Sequence, residues 1–350
     1  MKDEEPGRPP EGPATFEKDS LRPGSDCAAA VARRLRKAAL AEGFESCGFA
    51  SPEVRPDPGR LRAWLERGDA AGMEYMKRHV ETRLDVQRFF PGTSTVVSLA
   101  MNHFLPGAMP GPPAEDGEEP VRVARYAWGA DYHGILHGKL AALLARLSEW
   151  VPGVRGRVAV DTAPVLERHW AEAAGIGWIG KNGCLIVPRL GSWVFLGEIF
   201  LDVPLATDRL RPPARCGSCR RCLDACPSGA LREPYRLDAR RCVSYWTIEH
   251  RGPFPEGGSP AIDPWIFGCD ACQEACPWNR FARPASGDHW RCLLPEGNAR
   301  LRAWLRSTPQ SFAARFGGTA LERAGFEGLL RNADRICAER SDRRVDVAFE

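Results

Sequence analysis

Residues 216–227, with the sequence CGSCRRCLDACP, and residues 269–277, with the sequence CDACQEACP, determine the fold of the C-terminal part of this chain. Together with Cys242 they contain eight of the thirteen cysteines in the protein. The spacing Cys-x2-Cys-x2-Cys-x3-Cys-Pro is typical of two-cluster ferredoxins, in which three close cysteines bind one [4Fe-4S] cluster and the cysteine before the proline binds the other. The sequence therefore predicts two clusters that exchange their fourth ligands.

The second of these runs lacks one cysteine. Ile266 stands three residues before Cys269, where the first ligand of a complete run would be. Cys242 is the nearest cysteine outside the two runs, and we assign the missing position to it. The predicted ligands of cluster one are Cys216, Cys219, Cys222 and Cys276, and those of cluster two are Cys226, Cys242, Cys269 and Cys272.

Zinc sites and disulfide bonds are the alternatives for so many cysteines. Zinc ribbons do not require three cysteines at successive gaps of two followed by Cys-Pro, and no secretory signal indicates an oxidising compartment. Iron–sulfur ligation is therefore the favoured interpretation. The remaining cysteines are interpreted as small buried hydrophobic residues: Cys27, Cys47, Cys184, Cys292 and Cys337.

Composition limits the class of protein. With 350 residues, of which 43% are hydrophobic, the chain is long enough for two or three domains with ordinary cores. No apolar run approaches the ~18 residues of a membrane span, so we expect a cytoplasmic protein. The net charge is +3, but residues 207–251 contain ten arginines and five acidic residues. These arginines either offset the negative charge of the clusters or bind the phosphates of a nucleic acid, and charge alone does not separate the two.

The pattern predicts an α+β protein divided into four segments. Residues 1–26, rich in proline and poor in apolar residues, are predicted to be a disordered tail. Residues 27–209 are predicted to form an N-terminal α/β catalytic domain, residues 210–285 a ferredoxin-like domain with two [4Fe-4S] clusters, and residues 286–350 a C-terminal helical cap. The boundary at 209/210 rests on a shift of composition towards proline and cysteine.

Hydrophobic periodicity predicts the individual elements. Residues 106–120, with five prolines and four acidic residues, are predicted to be an inserted loop. The predicted strands span residues 95–102, 121–128, 157–161 and 192–201. The predicted helices span residues 27–42, 132–150, 299–305, 310–316 and 321–338, with one more beginning near Pro164.

Four further stretches are more specific than the cysteine spacing. They are residues 126–133 (YAWGADYH), 161–168 (DTAPVLER), 173–182 (AAGIGWIGKN) and 241–249 (RCVSYWTIE). In this order, and combined with the cluster spacing, they resemble the epoxyqueuosine reductase family over about residues 27–335.

This resemblance implies a cobalamin-dependent oxidoreductase that reduces epoxyqueuosine to queuosine at the wobble position of tRNA anticodons, the last step of queuosine biosynthesis. The N-terminal domain would then bind cobalamin, and the eight cysteines would bind the two [4Fe-4S] clusters that supply it with electrons. The resemblance places Asp161 at the catalytic acid, which also contacts the cofactor, and Arg83 at a second cobalamin contact. It places Lys181, Asn182 and Ser244 near the corrin ring.

Asp161 and His133 each have a simpler interpretation. An ionised Asp161 before a predicted helix would be favoured by about 0.3–1 kcal/mol, whereas a catalytic acid there needs its pKa raised by burial under the corrin or the substrate. The residues alone support both roles equally, and the resemblance favours catalysis. Asp131-x-His133 resembles the start of a motif that donates an axial histidine to cobalt, but Leu136 occupies its glycine position. We therefore expect base-off cobalamin without a protein axial ligand, and His133 as pocket lining or a satisfied polar contact.

Reductive opening of an epoxide needs two electrons and an acid for the departing oxygen. We expect cluster one to lie nearest the corrin. The expected partners are a tRNA with a queuosine-type anticodon and an unidentified external electron donor, with no membrane, and the protein is expected to be a monomer. The alternatives are a cobalamin-dependent reductive dehalogenase-like enzyme, which more often carries an export signal, and a ferredoxin-type electron carrier, which needs no large domain beside its clusters.

Overall fold

The computed structural model describes residues 15–106, 120–208, 213–287, 290, 292–293 and 300–347. Most of the predicted inserted loop, most of the linker around residue 210 and residues 1–14 of the predicted tail lie outside these ranges. The strands are β1 Ser46–Ala50, β2 Thr95–Asn102, β3 Arg122–Val123, β4 Gly156–Ala159, β5 Trp178–Ile179, β6 Leu185–Ile186, β7 Val194–Leu201 and β8 Trp265–Phe267. The helices are α1 Asp26–Ala41, α2 Pro58–Glu66, α3 Glu74–Lys77, α4 Val80–Leu84, α5 Val86–Phe89, α6 Tyr132–Trp150, α7 Glu167–Ala173, α8 Arg221–Asp224, α9 Ala271–Glu274, α10 Leu301–Leu305, α11 Pro309–Phe316 and α12 Gly325–Val347.

A four-stranded sheet with the order β1-β2-β7-β4 forms the centre of the N-terminal part. Its two central strands are apolar on both faces because helices cover both sides: α1 and α6 pack on one face, and α5 and α7 on the other. The α+β class is confirmed. Every pairing in this sheet is antiparallel, however, so the N-terminal part is not built from parallel βαβ units, because alternation of helices and strands in a sequence does not fix strand direction.

The C-terminal helices share a core with the cysteine-rich part of the chain. Helices α10, α11 and α12 pack against β3, β8 and a short π-helical turn at Tyr245–Glu249. Asn332 of α12 is fully buried, and its Nδ2 donates to the carbonyls of Thr247 and Ile266. The C-terminal helices therefore pack on the cysteine-rich part of the chain and share its core.

Several predicted elements agree with the structure. Strand β2 and helix α6 have the predicted bounds, and the predictions for them are confirmed. The predicted strand at residues 121–128 is shortened to β3, because residues 125–127 form a 3-10 turn and the Trp128 indole donates back to the Val123 carbonyl.

The predicted tail contains an ordered portion. Residues 18–20 form a 3-10 turn, the Phe16 N–H donates to the Trp150 carbonyl, and Lys18 Nζ lies 2.9 Å from Asp202 Oδ2. The folded part thus begins before residue 26. Within the described residues, no helix is both long and apolar enough to cross a membrane.

Candidate active site

Asp161 lies in the turn between strand β4 and helix α7. Its φ of 43° is in the left-handed region, which aspartate tolerates better than most residues with a Cβ atom. The Asp161 N–H donates a 2.6 Å hydrogen bond to Oε1 of Glu167, the first residue of α7. The first residue of α7 therefore fixes the backbone conformation at Asp161.

The side chain of Asp161 is the end of a short polar chain. Asp131 caps helix α6, and its Oδ1 accepts the His133 backbone N–H at 3.1 Å and lies 2.6 Å from His133 Nδ1. His133 Nε2 lies 3.0 Å from Asp161 Oδ2. Both ring nitrogens of His133 are thus engaged by carboxylates.

This pairing determines where the proton lies. The hydrogen bond to Asp161 raises the pKa of His133 to about 9, and Asp131 adds to it against the opposing effect of burial. Burial alone would raise the pKa of Asp161, but hydrogen bonds from His133 and Tyr132 bring it below its ordinary value. Near neutral pH the imidazolium therefore carries the proton and Asp161 is ionised. A raised pKa of Asp161, which a catalytic acid requires, is not present in this arrangement.

Two further carboxyl groups, one half-buried and one fully buried, lie behind Asp161. Burial and the charge of Asp161 raise the pKa of Glu167 to about 8. Glu198 on β7 is fully buried, accepts a 3.1 Å hydrogen bond from Ser98, and has its pKa raised well above the ordinary value by burial and by Glu167. Glu198 was not predicted as a site residue, although an acidic residue inside an apolar strand indicates an unusual buried group.

The wall opposite Asp161 is formed by α3, α4 and the C-terminal segment. Arg83 of α4 is buried, its Nη2 lies 3.5 Å from the Tyr75 carbonyl, and its Nε has no hydrogen-bond partner in the described part of the chain. Arg323 forms a two-pronged ion pair with Glu249 at 2.7 and 3.1 Å. Its guanidinium lies 5.8 Å from the centre of the Tyr75 ring. Asp161 is close enough to influence the pKa values of Tyr75, Arg83 and Arg323. We call the space among these side chains the recess.

The structure brings the four predicted ligands of cluster one together. Cys216, Cys219, Cys222 and Cys276 line one cavity, together with Arg215 and Trp278. Burial and the neighbouring thiols raise the pKa of Cys222 to about 11, because each additional thiolate is costly without a cation. Among the described residues no three His, Cys, Asp or Glu side chains converge closely enough for a single metal ion. The thiols instead surround a space, as the corners of an iron–sulfur cube require.

The predicted ligands of cluster two also approach one another. Burial, Cys242 and Cys226 together raise the pKa of Cys269 to about 12. Cys272 is influenced by both Cys269 and Cys242. A fifth thiol joins this set: a hydrogen bond between Cys184 and Cys272 lowers the pKa of the former and raises that of the latter. No motif or spacing in the sequence indicated this position of Cys184.

Lys181 and Asn182 lie at the cysteines and not in the recess. Lys181 Nζ donates to the carbonyls of Gly217 and Cys219 at 2.5 and 2.9 Å. Asn182 Nδ2 lies 3.5 Å from the Cys272 carbonyl, and its Oδ1 accepts the Cys184 N–H. Their polar atoms therefore position the cluster loops rather than meet Arg83 and Asp161.

Contacts link the ligands of cluster two, which we call the second cysteine set, to the recess. Ser244 follows Cys242 and caps the turn Tyr245–Glu249, whose last residue pairs with Arg323. Asp270, next to Cys269, accepts the Arg125 N–H at 2.7 Å, in the turn that also carries Tyr126. Tyr126 in turn packs against Tyr132. These contacts favour the opposite order to the expectation that cluster one is nearest the corrin.

Two family models match the chain. The model described as epoxyqueuosine reductase QueG, DUF1730, matches residues 83–162, which include Arg83 and Asp161. The model described as a 4Fe-4S double cluster binding domain matches residues 215–279, which include all eight predicted ligands.

Curated relatives and solved structures are similar over most of the chain. The epoxyqueuosine reductase of Pseudomonas aeruginosa is 42% identical over 290 residues, which cover 83% of this chain and 80% of the relative. That of Cyclobacterium marinum is 38% identical over 299 residues, which cover 85% and 94%. A crystal structure of an epoxyqueuosine reductase with a tRNA-Tyr epoxyqueuosine-modified stem loop has a TM-score of 0.80 and 29% identity, covering 87% of this chain and 80% of that one. A Bacillus subtilis epoxyqueuosine reductase, whose catalytic aspartate loop is swung out of the active site, has a TM-score of 0.79, 28% identity and the same coverage.

Proposed function

The chain belongs to the epoxyqueuosine reductase family, and on that premise we propose that it reduces epoxyqueuosine to queuosine at the wobble position of tRNA. The single observation that carries this proposal is the Asp131–His133–Asp161 chain in a recess beside the double-cluster module. Removal of the epoxide oxygen as water consumes two electrons and two protons, and leaves a carbon–carbon double bond. The recess offers the protons and the cysteine module offers the electrons.

Cobalamin is the group proposed to work in the recess, where it would supply a low-potential metal centre for the reduction. The side chains present fit it. The buried, unpaired Nε of Arg83 is a donor for an amide or phosphate oxygen at the edge of the cofactor, and Ser244 lies at the border of the recess near Cys242. His133 has no free ring nitrogen, which supports binding without a protein axial ligand.

The eight cysteines are proposed to hold the two [4Fe-4S] clusters in the sets predicted from their spacing. Four thiols line one cavity, and the other three predicted thiols lie near that of Cys269, which supports this division. Lys181 and Asn182 are proposed to position the loops that carry the ligands. Electrons would enter at the first set and leave from the second, because the contacts of the second set lead to the recess.

The proton for the departing oxygen is proposed to be stored on His133 and delivered through Asp161. The raised pKa of His133 keeps it charged near neutral pH, while Asp161 is held ionised between the imidazolium and the open recess. Asp131 keeps the ring oriented by accepting from Nδ1. Glu167 holds the turn, so that Asp161 projects from a fixed backbone.

The partners and setting follow from this activity. The substrate is tRNA, whose wobble base would enter the recess near Tyr75 and Arg323, since an anticodon base is read after it has been splayed out of its stack. We place the enzyme in the cytoplasm, where tRNA is found, and propose that it acts as a monomer. The domain boundaries at residues 26/27, 209/210 and 285/286 remain predictions.

Substitution of Asp161 tests the proposal. Asp161→Asn keeps the shape of the side chain but cannot pass a proton, so turnover of epoxyqueuosine-containing tRNA should fall by about 10²–10⁴-fold. Nucleoside mass spectrometry measures queuosine, and absorbance spectra measure bound cobalamin and clusters, which should be unchanged. Asp57→Asn, at an exposed helix cap that asparagine also fills, is the matched control. Full activity of Asp161→Asn would remove Asp161 from the mechanism.

A further inference from the structure

The cavity of the first cysteine set opens onto a surface with exposed aromatic side chains. Tyr235 is 39% exposed, and its backbone N–H donates to the carbonyl of Lys181, which lines the cavity. Phe281 is 44% exposed, and its ring lies 6.1 Å from that of Trp278, which also lines the cavity. Single exposed aromatic rings are common, but here two of them lie beside one metal-cluster site, and clustered apolar groups at a surface mark interaction sites.

Arginines surround these rings. Arg60 Nη2 donates to the Tyr235 carbonyl at 3.0 Å, and its guanidinium lies 5.6 Å from the centre of the Tyr235 ring. Arg215 lines the cavity, and Arg220 and Arg221 stand between two of its cysteines. All four arginines are exposed. We define the set-one face by these residues: Arg60, Arg215, Arg220, Arg221, Tyr235 and Phe281.

The positive charge of this face is only weakly compensated. Arg220 lies 3.6 Å from the exposed Asp224, whereas Arg215 and Arg221 have no ion-pair partner among the described residues. The cation that contacts the cluster loops themselves is Lys181, which donates to two of their carbonyls. Arg215 and Arg221 are therefore available to meet an external anionic surface.

Protein–protein interfaces are enriched in arginine and aromatic residues and have a polar rim. Set one also lies near the surface, because exposed residues stand on both sides of Cys219. Electron transfer slows steeply with distance, so a protein donor must closely approach the cluster that it reduces. Resting on the function proposed above, we propose that the set-one face is the docking site for a small acidic protein that carries one low-potential electron on a flavin or an iron–sulfur cluster.

The electron balance defines how the face is used. Each docked carrier would lose one electron, and the cluster that Cys216, Cys219, Cys222 and Cys276 would hold would gain it, a change from [4Fe-4S]²⁺ to [4Fe-4S]⁺. The reduction of one epoxide needs two such events, so the carrier must leave quickly after each. A small interface steered by charge gives fast encounter and fast release.

RNA is the competing occupant of a basic face. The wobble base must enter the recess, however, where other arginines stand. Arg251 donates to the Arg323 carbonyl, and Arg323 itself lies over Tyr75. The contacts of Arg323 with Glu249 lead to the turn that follows Cys242, a ligand of the second cysteine set. The observations therefore favour a protein carrier at the set-one face.

The test is charge reversal on the holoenzyme, measured as the rate at which its cluster absorbance bleaches. The double variant Arg215→Glu/Arg221→Glu should be reduced by an acidic flavodoxin about tenfold or more slowly than the parent at low ionic strength, and the difference should shrink at high salt. Its reduction by dithionite should not change. Arg33→Glu/Lys37→Glu on α1 has the same change in charge at exposed positions and should behave as the parent.

Three results would overturn the proposal: an unchanged rate with the carrier, an equal loss with dithionite, or a loss of affinity for a tRNA stem loop with the carrier rate intact, which would assign the face to RNA. Tyr235→Asn tests the apolar part, because asparagine tolerates the φ of 67° at this position. It should slow reduction by the carrier without altering its salt dependence. Dithionite-driven turnover of epoxyqueuosine-containing tRNA by the parent tests the proposed function separately.

Discussion

The Nε2 atom of His133 lies 3.0 Å from Oδ2 of Asp161, and the opposite nitrogen of the same ring lies 2.6 Å from Oδ1 of Asp131. One imidazolium is therefore shared by two carboxylates that come from different elements. In the proposed reaction, this arrangement lets Asp161 pass on a proton that is stored on His133.

The ion pair predicts an alkaline limit of activity. Because pairing raises the folded-state pKa of His133 above its ordinary 6.5, the pair's contribution to stability is complete below about pH 6.5 and is lost as the pH rises through about 9. Turnover should fall over the same alkaline range. In His133→Gln this alkaline decrease of turnover should be absent, and turnover should be low at every pH. His137→Gln, on the exposed face of α6, should keep the pH dependence of the parent. An unchanged alkaline decrease in His133→Gln would assign it to another group.

Glu167 accepts a hydrogen bond from the Asp161 N–H. This contact predicts different losses of stability and turnover for two variants of Glu167. Glu167→Ala leaves that N–H without its protein acceptor and the positive φ of Asp161 unsupported. Because the hydrogen bond is exposed, stability should fall by about 0.5–1.5 kcal/mol in urea unfolding, and turnover should fall with it. Glu167→Gln retains an amide oxygen at the same place and should recover most of both. Equal losses in the two variants would mean that the carboxyl charge matters, and not the hydrogen bond.

The cysteine sets predict the iron content of two variants. Cys242→Ser should reduce iron from about eight to about four atoms per chain, because one of two [4Fe-4S] clusters loses a ligand. Cys184→Ser should retain about eight, since its thiol contacts Cys272 without being assigned as a ligand. Iron and labile sulfide analysis measures both. If the two variants exchanged these results, Cys184 would be the missing ligand.

The position of Arg323 predicts a role in binding RNA. Arg323→Gln should weaken binding of a tRNA stem loop and lower the slope of log affinity against log salt by about 1, because one phosphate-facing cation is lost at the mouth of the recess. Cluster and cobalamin absorbance should not change. Arg315→Gln on α11, where the guanidinium packs on Phe316, is the control. Unchanged stem-loop affinity would show that Arg323 serves only its ion pair with Glu249.

Local sequence patterns predicted the elements that depend on local physics. Helix α6 and strand β2 were predicted at their observed bounds because a capped amphipathic helix and an apolar run between breakers are determined by neighbouring residues. The prediction at residues 121–128 was too long, because Trp128 folds back onto Val123 and a turn replaces most of the strand.

The arrangement of the site depended on contacts between distant residues. Arg323 and Glu249 reach the recess because α12 shares a core with the turn Tyr245–Glu249, and a packing contact between distant segments leaves no periodic signal. The same holds for Cys184, which looks like any small buried residue until Asn182 directs its loop to Cys272.

By itself the sequence determined the double-cluster module, the eight candidate ligands and the family, because each of these is written in spacing and motif along the chain. Only the tertiary structure decided how the second cysteine set is linked to the recess, where Lys181 and Asn182 lie, and which group holds the proton near Asp161. The physical reason is that a pKa depends on charges and hydrogen bonds at distances of about 3 Å, and such neighbours are set by folding rather than by order in the chain.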